Sequence, residues 1–370
     1  MAPIWHPRPL VPGTVVHVMG WVSQQHGSFE RFLERLAARC ASAGLKTHLV
    51  FPAHPRSEEF IRTVNARIHI VPLAKHLLDY RAWAGLRSVF KKTRATHIHA
   101  HSGLDAMLAM RIARTLKTRR FLSQHTVPGT SWSSKMRHRW LAQQAETLFA
   151  VSEPVVAALL SLGVPPEKIV QAPLGVDVMA YRPDSALRSA TREALGIRDD
   201  EKVVLCTSHL REGKGVELLP PLAAALAQSP GNVRLLSAGA GPLRESLQAQ
   251  SVNIPLQFLG LRHDIPELLA AADLFVLPRT RDDGRGLGPV EAMAAGLPIV
   301  ASALSGQSAV IGEPMQLVPP GDLNALVAAC RTLLADPDAA HTLGSRAREA
   351  AVTRFSVDAA VEAHVARYLA

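Results

Sequence analysis

Thiols are nearly absent from this sequence. Its three cysteines in 370 residues, Cys40, Cys206 and Cys330, are odd in number and scattered through apolar segments. That excludes a disulfide framework and a thiolate metal cluster, and it fits a reducing compartment. No apolar run approaches the ~18 residues that cross a bilayer as a helix. Residues 1–14 carry prolines and His6 but no continuous apolar stretch, so a secretory leader is not expected. Low-complexity tracts are also missing, and 48% hydrophobic with 19% charged residues is a globular composition. The length suits about two domains, each with its own core. A cytoplasmic protein is the expectation.

Acid is scarce in one place above all. The formal net charge is +10, and between residues 81 and 140 thirteen Lys/Arg stand against a single acid, Asp105. The remainder of the chain is close to neutral. Such an excess suits an anionic membrane surface, a nucleic acid or an acidic substrate, or simply solvated helix faces. The window lacks the interleaved aromatics of single-strand binders, so nucleic acid is not expected.

What is present is an alternation of strands and helices, made twice. Residues 15–19 read as a strand, followed by a loop with Gly27. Residues 29–43 carry apolar side chains at helical spacing (Phe29, Phe32, Leu33, Leu36, Ala37, Cys40), Gly44 stops that helix, and 46–51 is a second strand. This is a βαβ unit and the start of a parallel sheet. His97, His99 and His101 alternate on a short strand and so share one face. Without a carboxylate or fourth ligand they do not make a closed metal site and read as structural. His125 follows the strand at 120–123. The second alternation begins at Lys202, and the Pro220-Pro221 pair should bend or delay the helix of residues 216–228. Gly239 and Gly241 hint at a dinucleotide turn, but the third glycine is missing and so is an acid ending the next strand. An oxidoreductase is therefore not expected.

The most informative stretch is residues 278–296. An apolar strand leads into a loop with Gly284, Gly286 and Gly288, then a short helix with Gly288 as N-cap, Pro289 at its first turn and Gly296 past its end. Two carboxylates, Asp283 and Glu291, bracket this loop. Read alone, Asp283 is as easily a turn residue and Glu291 a helix-capping acid.

In order along nearly the whole chain, these motifs resemble the retaining GT-B glycosyltransferases of group 1 (family 4) type. Asp283 and Glu291 are similar to that family's Glu-x7-Glu pair. Residues 208–215, Ser-His-Leu-Arg-Glu-Gly-Lys-Gly, resemble its phosphate loop, and residues 239–242, 258–260, 271–278 and 318–322 follow its order. Gly27-Ser28-Phe29-Glu30-Arg31 is similar to its Gly-Gly-x-Glu-Arg, and Gly175-Val176-Asp177 to its interdomain Gly-Val-Asp.

The resemblance implies two Rossmann-like doubly wound α/β domains facing a cleft. Residues 1–180 would bind acceptor, 181–354 would bind the nucleotide sugar, and a C-terminal helix, 355–370, would return to the first domain. It implies that Lys214 binds the donor diphosphate, Asp283 the sugar hydroxyls and Glu291 the ribose. Backbone from Gly284, Arg285, Gly286, Leu287 and Gly288 would add N–H groups, and Gly27 and Ser28 would approach the phosphates. His125 would stand near the anomeric carbon, making His125, Lys214 and Asp283 the catalytic group. His101 and Asp105 are acceptor-side candidates. No metal and no cofactor are implied beyond a UDP- or GDP-linked sugar as donor. The acceptor would be a lipid-linked or other saccharide at the inner face of an anionic membrane.

The sequence departs from the family at four places. His209 stands for a phosphate-binding Arg, Ser28 for Gly, Asp283 for Glu, and Arg285 for an apolar residue, so Arg285 is a candidate to restore the charge absent at His209. Two other readings are a sugar-nucleotide epimerase on the same fold and a catalytically inactive nucleotide-sugar-binding scaffold.

Overall fold

The computed structural model describes residues 13–20, 28–53, 66–72, 74–101, 103–129, 131–173, 175–228, 231–281, 287–304 and 314–370. The chain divides into two compact units, residues 1–173 with 360–370, and residues 174–359.

In the first unit the elements run β1 (Thr14–Met19), α1 (Ser28–Ser42), β2 (Lys46–Pro52), β3 (Arg67–Val71), α2 (Tyr80–Lys92), β4 (His97–His101), α3 (Gly103–Thr115), β5 (Arg119–Gln124), α4 (Trp132–Gln144), β6 (Thr147–Ala150), α5 (Glu153–Ser161) and β7 (Ile169–Gln171). The seven strands lie in the order β3-β2-β1-β4-β5-β6-β7, all parallel. Every residue of β1, β4 and β6 is buried, which is what a parallel sheet covered on both faces demands of its central strands.

The second unit holds α6 (Ser185–Ala194), β8 (Glu201–Thr207), α7 (Leu219–Ala227), β9 (Asn232–Ala238), α8 (Arg244–Gln250), β10 (Leu256–Gly260), α9 (Ile265–Ala271), β11 (Leu274–Leu277), α10 (Gly288–Ala294), β12 (Ile299–Ser302), β13 (Gln316–Val318), α11 (Leu323–Ala335), α12 (Pro337–Arg354) and the start of α13 (Val357–Leu369). Its six strands are ordered β10-β9-β8-β11-β12-β13. Both sheets reverse direction of growth beside their first strand, between β1 and β4 and between β8 and β11. In doubly wound sheets the crevice beyond the carboxyl ends of such a strand pair binds the ligand.

From Ala360 onward, α13 belongs to the first unit. Tyr368 is buried there, edge-on to Phe121 at 5.0 Å. Its carbonyl accepts hydrogen bonds from Arg119 (3.0 Å) and His97 Nε2 (3.1 Å). Burying a side chain of this size stabilises by roughly 1.5–3 kcal/mol. Among the described residues no helix is long and apolar enough to cross a membrane.

Two local expectations change, and the delay expected from the Pro220-Pro221 pair is met. Residues 185–194 form a helix where no element was expected before Lys202. Residues 216–218 are one 3-10 turn, and α7 starts only at Leu219, with Pro220 in its first turn. The cap of α10 falls on Leu287 and not Gly288, with no side-chain cap bond. Glu291 is thereby one residue too deep for the capping role.

Candidate functional site

Each sheet carries its own cluster at its switch point. In the second unit β8 ends at Thr207 and the chain turns through residues 208–215 before Val216. Gly213 and Gly215 have positive φ (+82° and +69°), a region closed to most side chains. A Cβ on Gly215 would lie 1.7 Å from the Pro278 carbonyl oxygen, so only glycine lets this loop press against the end of β11. The Gly213 carbonyl accepts from the Thr280 and Arg281 N–H groups (3.2 and 3.1 Å), locking the two loops together. Between these glycines Lys214 is 8% exposed. A lysine held this deep keeps its stem in apolar packing and presents one charge from a fixed loop.

Gly239 and Gly241 serve the same loop. A Cβ on either would meet the carbonyl oxygen of Ser208 (1.9 Å) or of Leu210 (2.2 Å). They make room for residues 208–210, which explains the incomplete dinucleotide pattern. His209 itself is exposed.

Leu287 and Gly288 open α10, and a Cβ on Gly288 would come within 2.9 Å of Thr207 Oγ1. Glu291, half-buried, accepts a hydrogen bond at Oε1 from the Tyr181 hydroxyl (3.0 Å), and Tyr181 is itself buried. Sequence reasoning missed Tyr181, which lies 110 residues away. It also missed Arg279, a guanidinium 4% exposed at the end of β11 and near enough to influence Cys206 in β8. Its signal was a charged residue two positions past an apolar strand. Gly27, Asp283, Gly284, Arg285 and Gly286 lie outside the described residues, and Ser28 opens α1.

In the first unit β1 and β4 pair in register, so His17 faces His99 and Met19 faces His101. His125 follows the end of β5. The alternate histidines of β4 join a hydrogen-bonded stack that extends well beyond that strand. His17 Nδ1 and His101 Nε2 share a hydrogen bond (3.1 Å), and His101 Nδ1 and His125 Nε2 share the next (3.0 Å). His99 bonds the Tyr368 hydroxyl and Ser123 Oγ. His364 from α13 stacks on Phe149 at 3.9 Å and donates from Nδ1 to the Ala360 carbonyl (2.7 Å). Phe29 of α1 stands edge-on to both His101 and His125.

His101 is fully buried and is therefore an interior partner of His125, not a lining residue. Asp105 is also interior: it accepts from the Ala74 N–H (3.1 Å), and burial pushes its carboxyl pKa up. Its role in the fold is to hold the segment before α2. The imidazoles are all shifted toward neutrality. Burial, then the charge that His364 would carry, lowers His17 and His125 to about 3. His99 and His101 are held well below their ordinary value by burial and by the neighbouring histidines.

Among the described residues, His17, His99 and His101 come nearest to a metal-ligand set, with nitrogens within 4.8 Å of one another. They do not fit one. The His99 and His101 rings stack at 4.5 Å with planes 13° apart, so their in-plane lone pairs run side by side and do not converge. Both His99 nitrogens are already engaged, whereas a zinc site needs each at roughly 2.0–2.1 Å from one ion. The cluster is a proton-sharing stack.

Comparison with known proteins agrees with this geometry. Residues 201–336 match the family described as glycosyl transferases group 1, and residues 29–179 match glycosyltransferase family 4. The chain is 30% identical over 262 residues to a GDP-mannose-dependent alpha-(1-6)-phosphatidylinositol monomannoside mannosyltransferase of Mycolicibacterium smegmatis, covering 66% of this chain and 68% of that one. It is 27% identical over 254 residues to the lipopolysaccharide core biosynthesis mannosyltransferase LpsB of Rhizobium meliloti, covering 64% and 69%. Its fold is similar to that of Anabaena HepE, solved in complex with UDP and glucose, with a TM-score of 0.79, 22% identity, and coverage of 96% and 99%. The chain belongs to the group 1 glycosyltransferases and has their GT-B fold.

Proposed function

We propose that this enzyme is a retaining, metal-independent hexosyltransferase. It moves a sugar from a UDP- or GDP-linked donor to a lipid-linked or saccharide acceptor of the cell envelope. The observation that carries the reading is Lys214, buried between two left-handed glycines at the β8/β11 switch point. There its ammonium would offset the charge that grows on the diphosphate as the glycosidic bond breaks. Arg279 is a second fixed cation of that region, a role suited to the place where the exposed His209 has replaced an arginine. With two such cations at the phosphates, a divalent ion is not required. Glu291, oriented by Tyr181, would bind the ribose, and Asp283 the sugar hydroxyls. Gly27, Ser28 and the backbone of Gly284 to Gly288, with Arg285, would complete the donor contacts. His125 would stand at the anomeric carbon.

The relatives' names support the substrate class, since they act on phosphatidylinositol mannosides and lipopolysaccharide core. The surface of the first unit supports an anionic membrane as the partner. Leu78 and Tyr80, next to Arg81 at the start of α2, and Trp132 and Met136, among Lys135, Arg137 and Arg139 of α4, are exposed large apolar side chains (83%, 74%, 78% and 47%) neighboured in sequence by exposed cations. Apolar anchors among cations suit an interface with anionic lipid at its cytoplasmic face.

The test is transfer from UDP- and GDP-hexoses, with product configuration read by NMR. Lys214→Ala should lower kcat/KM by about 10²–10³, and Glu291→Ala should act mainly through donor affinity. An inverted product would refute retention, and loss of rate on chelation would refute metal independence. Full activity in Lys214→Ala would remove the basis of the reading.

A further inference from the structure

The glycosyltransferase reading uses His125 but leaves unexplained why its ring is tied to two buried histidines. Those two hydrogen bonds have a direction. Each bond between neutral imidazoles holds one proton, so His17, His101 and His125 have only two joint arrangements. In the first, His17 Nδ1–H donates to His101 Nε2, His101 Nδ1–H donates to His125 Nε2, and His125 keeps its proton on Nδ1. In the second, every donor is reversed, and His17 carries its proton on Nε2.

The far end of the chain decides between them. His17 is fully buried, and among the described residues its Nε2 has no hydrogen-bond partner. The second arrangement would place an orphaned N–H donor there, and the first only an unused lone pair. Orphaned N–H groups are the scarcer of the two in protein interiors, because a buried donor without an acceptor loses its full hydration. A charged array is opposed by burial and by the charge that neighbouring histidines would add.

We infer that His17 and His101 are positioning residues that fix His125 with its proton on Nδ1 and its Nε2 occupied, so that it meets the donor sugar as an uncharged N–H donor. This rests on the placement of His125 beside the anomeric carbon. The edge of Phe29 against both the His101 and His125 rings holds their planes while the bonds set their tautomer. His125 then acts neither as a base nor as a cation, and the rate carries no titration of His125 between pH 5.5 and 8.

The experiment is a long-range proton–nitrogen correlation spectrum of the full chain labelled with [15N]-histidine. His125 is assigned by its loss in His125→Gln. The expected result is a protonated Nδ1 and an unprotonated Nε2 on His125 throughout pH 5.5–8. A proton on Nε2, or on both nitrogens, overturns the inference. This arm needs no activity, so it decides the tautomer even if the transferase reading fails. The second arm measures transfer in His101→Leu, which removes the donor to His125, and in His101→Asn, whose amide N–H stands at the Nδ1 position and replaces it. Turnover should fall about ten- to a hundredfold in the leucine variant, with substantial recovery in the asparagine variant. With the wild-type tautomer as expected, unchanged turnover in His101→Leu would show that the reaction does not use it and would overturn the positioning role.

Discussion

Tyr181 changes what Glu291 can do. A carboxylate in the first turn of a helix ordinarily folds back onto backbone N–H groups, but here one oxygen is engaged by a phenol from 110 residues upstream. The bond turns a flexible acid into an oriented acceptor. Tyr181→Phe removes that donor from a buried position, and hydrogen bonds to charged groups contribute about 1.5–3 kcal/mol. The expected outcome is a lower melting temperature and a raised donor KM with kcat nearly kept. A variant with normal KM and lowered kcat would show that Glu291 acts on the reaction centre instead. Lys214 and Glu291 could be singled out in the sequence because each sits in a local motif that resembles the family's. Tyr181, Arg279, His17 and His364 were not legible, because their meaning lies in contacts made across the fold.

Elements were easier to read than side-chain roles, and the exception is instructive. Strands such as β11 and β12 announce themselves as continuous apolar runs, since both faces are covered. Helix α6 did not, because its inner face is built from arginines. Arg192, 6% exposed, donates to the carbonyls of Ala271, Arg198 and Glu201, and Arg188 pairs with Asp273. An amphipathic pattern whose buried stripe is charged looks polar all round. The loop between β8 and α7 offers a sharper test of glycine patterning. Gly213→Ala meets only the flexible Arg281 side chain at 3.3 Å and should cost about 1–2 kcal/mol for its left-handed backbone. Gly215→Ala adds a clash with the Pro278 carbonyl and should destabilise by clearly more, with loss of donor binding, measured by thermal melting and nucleotide titration. Equal effects of the two substitutions would contradict the close approach.

At the scale of the molecule the histidines are unevenly shared. His17, His99, His101 and His364 are buried in the first unit, whereas His209, His263 and His341 of the second are exposed. A histidine depressed in the folded state binds fewer protons there than when unfolded. Its stabilising effect is whole above the unfolded value near 6.5 and is lost as pH falls toward the folded value. With His17 at about 3 and His364 at about 4, the window runs from about pH 6.5 downward. Between pH 7 and pH 5 each fully buried imidazole should cost about 2 kcal/mol, a large fraction of the roughly 5–15 kcal/mol of a domain. Calorimetry should therefore show the first unit's transition moving down at pH 5 well ahead of the second. Parallel shifts would contradict this assignment of buried neutral imidazoles. The exposed cations and apolar side chains of α2 and α4 predict binding to vesicles containing anionic lipid that weakens with salt, since screening lengths shorten to about 8 Å at 0.15 M. Equal, salt-insensitive binding to neutral vesicles would exclude an electrostatic dock.

The return of α13 to the first unit has a consequence for how the protein is made. Backbone and side-chain partners of His97, His99 and Arg119 reside on Tyr368, two residues from the end of the sequence. The unit whose strands leave the ribosome earliest is thus completed last, after the whole of the second unit. At about 5–20 residues per second that wait lasts roughly ten to forty seconds. Until then the histidine stack lacks one wall, and a fragment ended at the first chain crossing carries the same gap permanently.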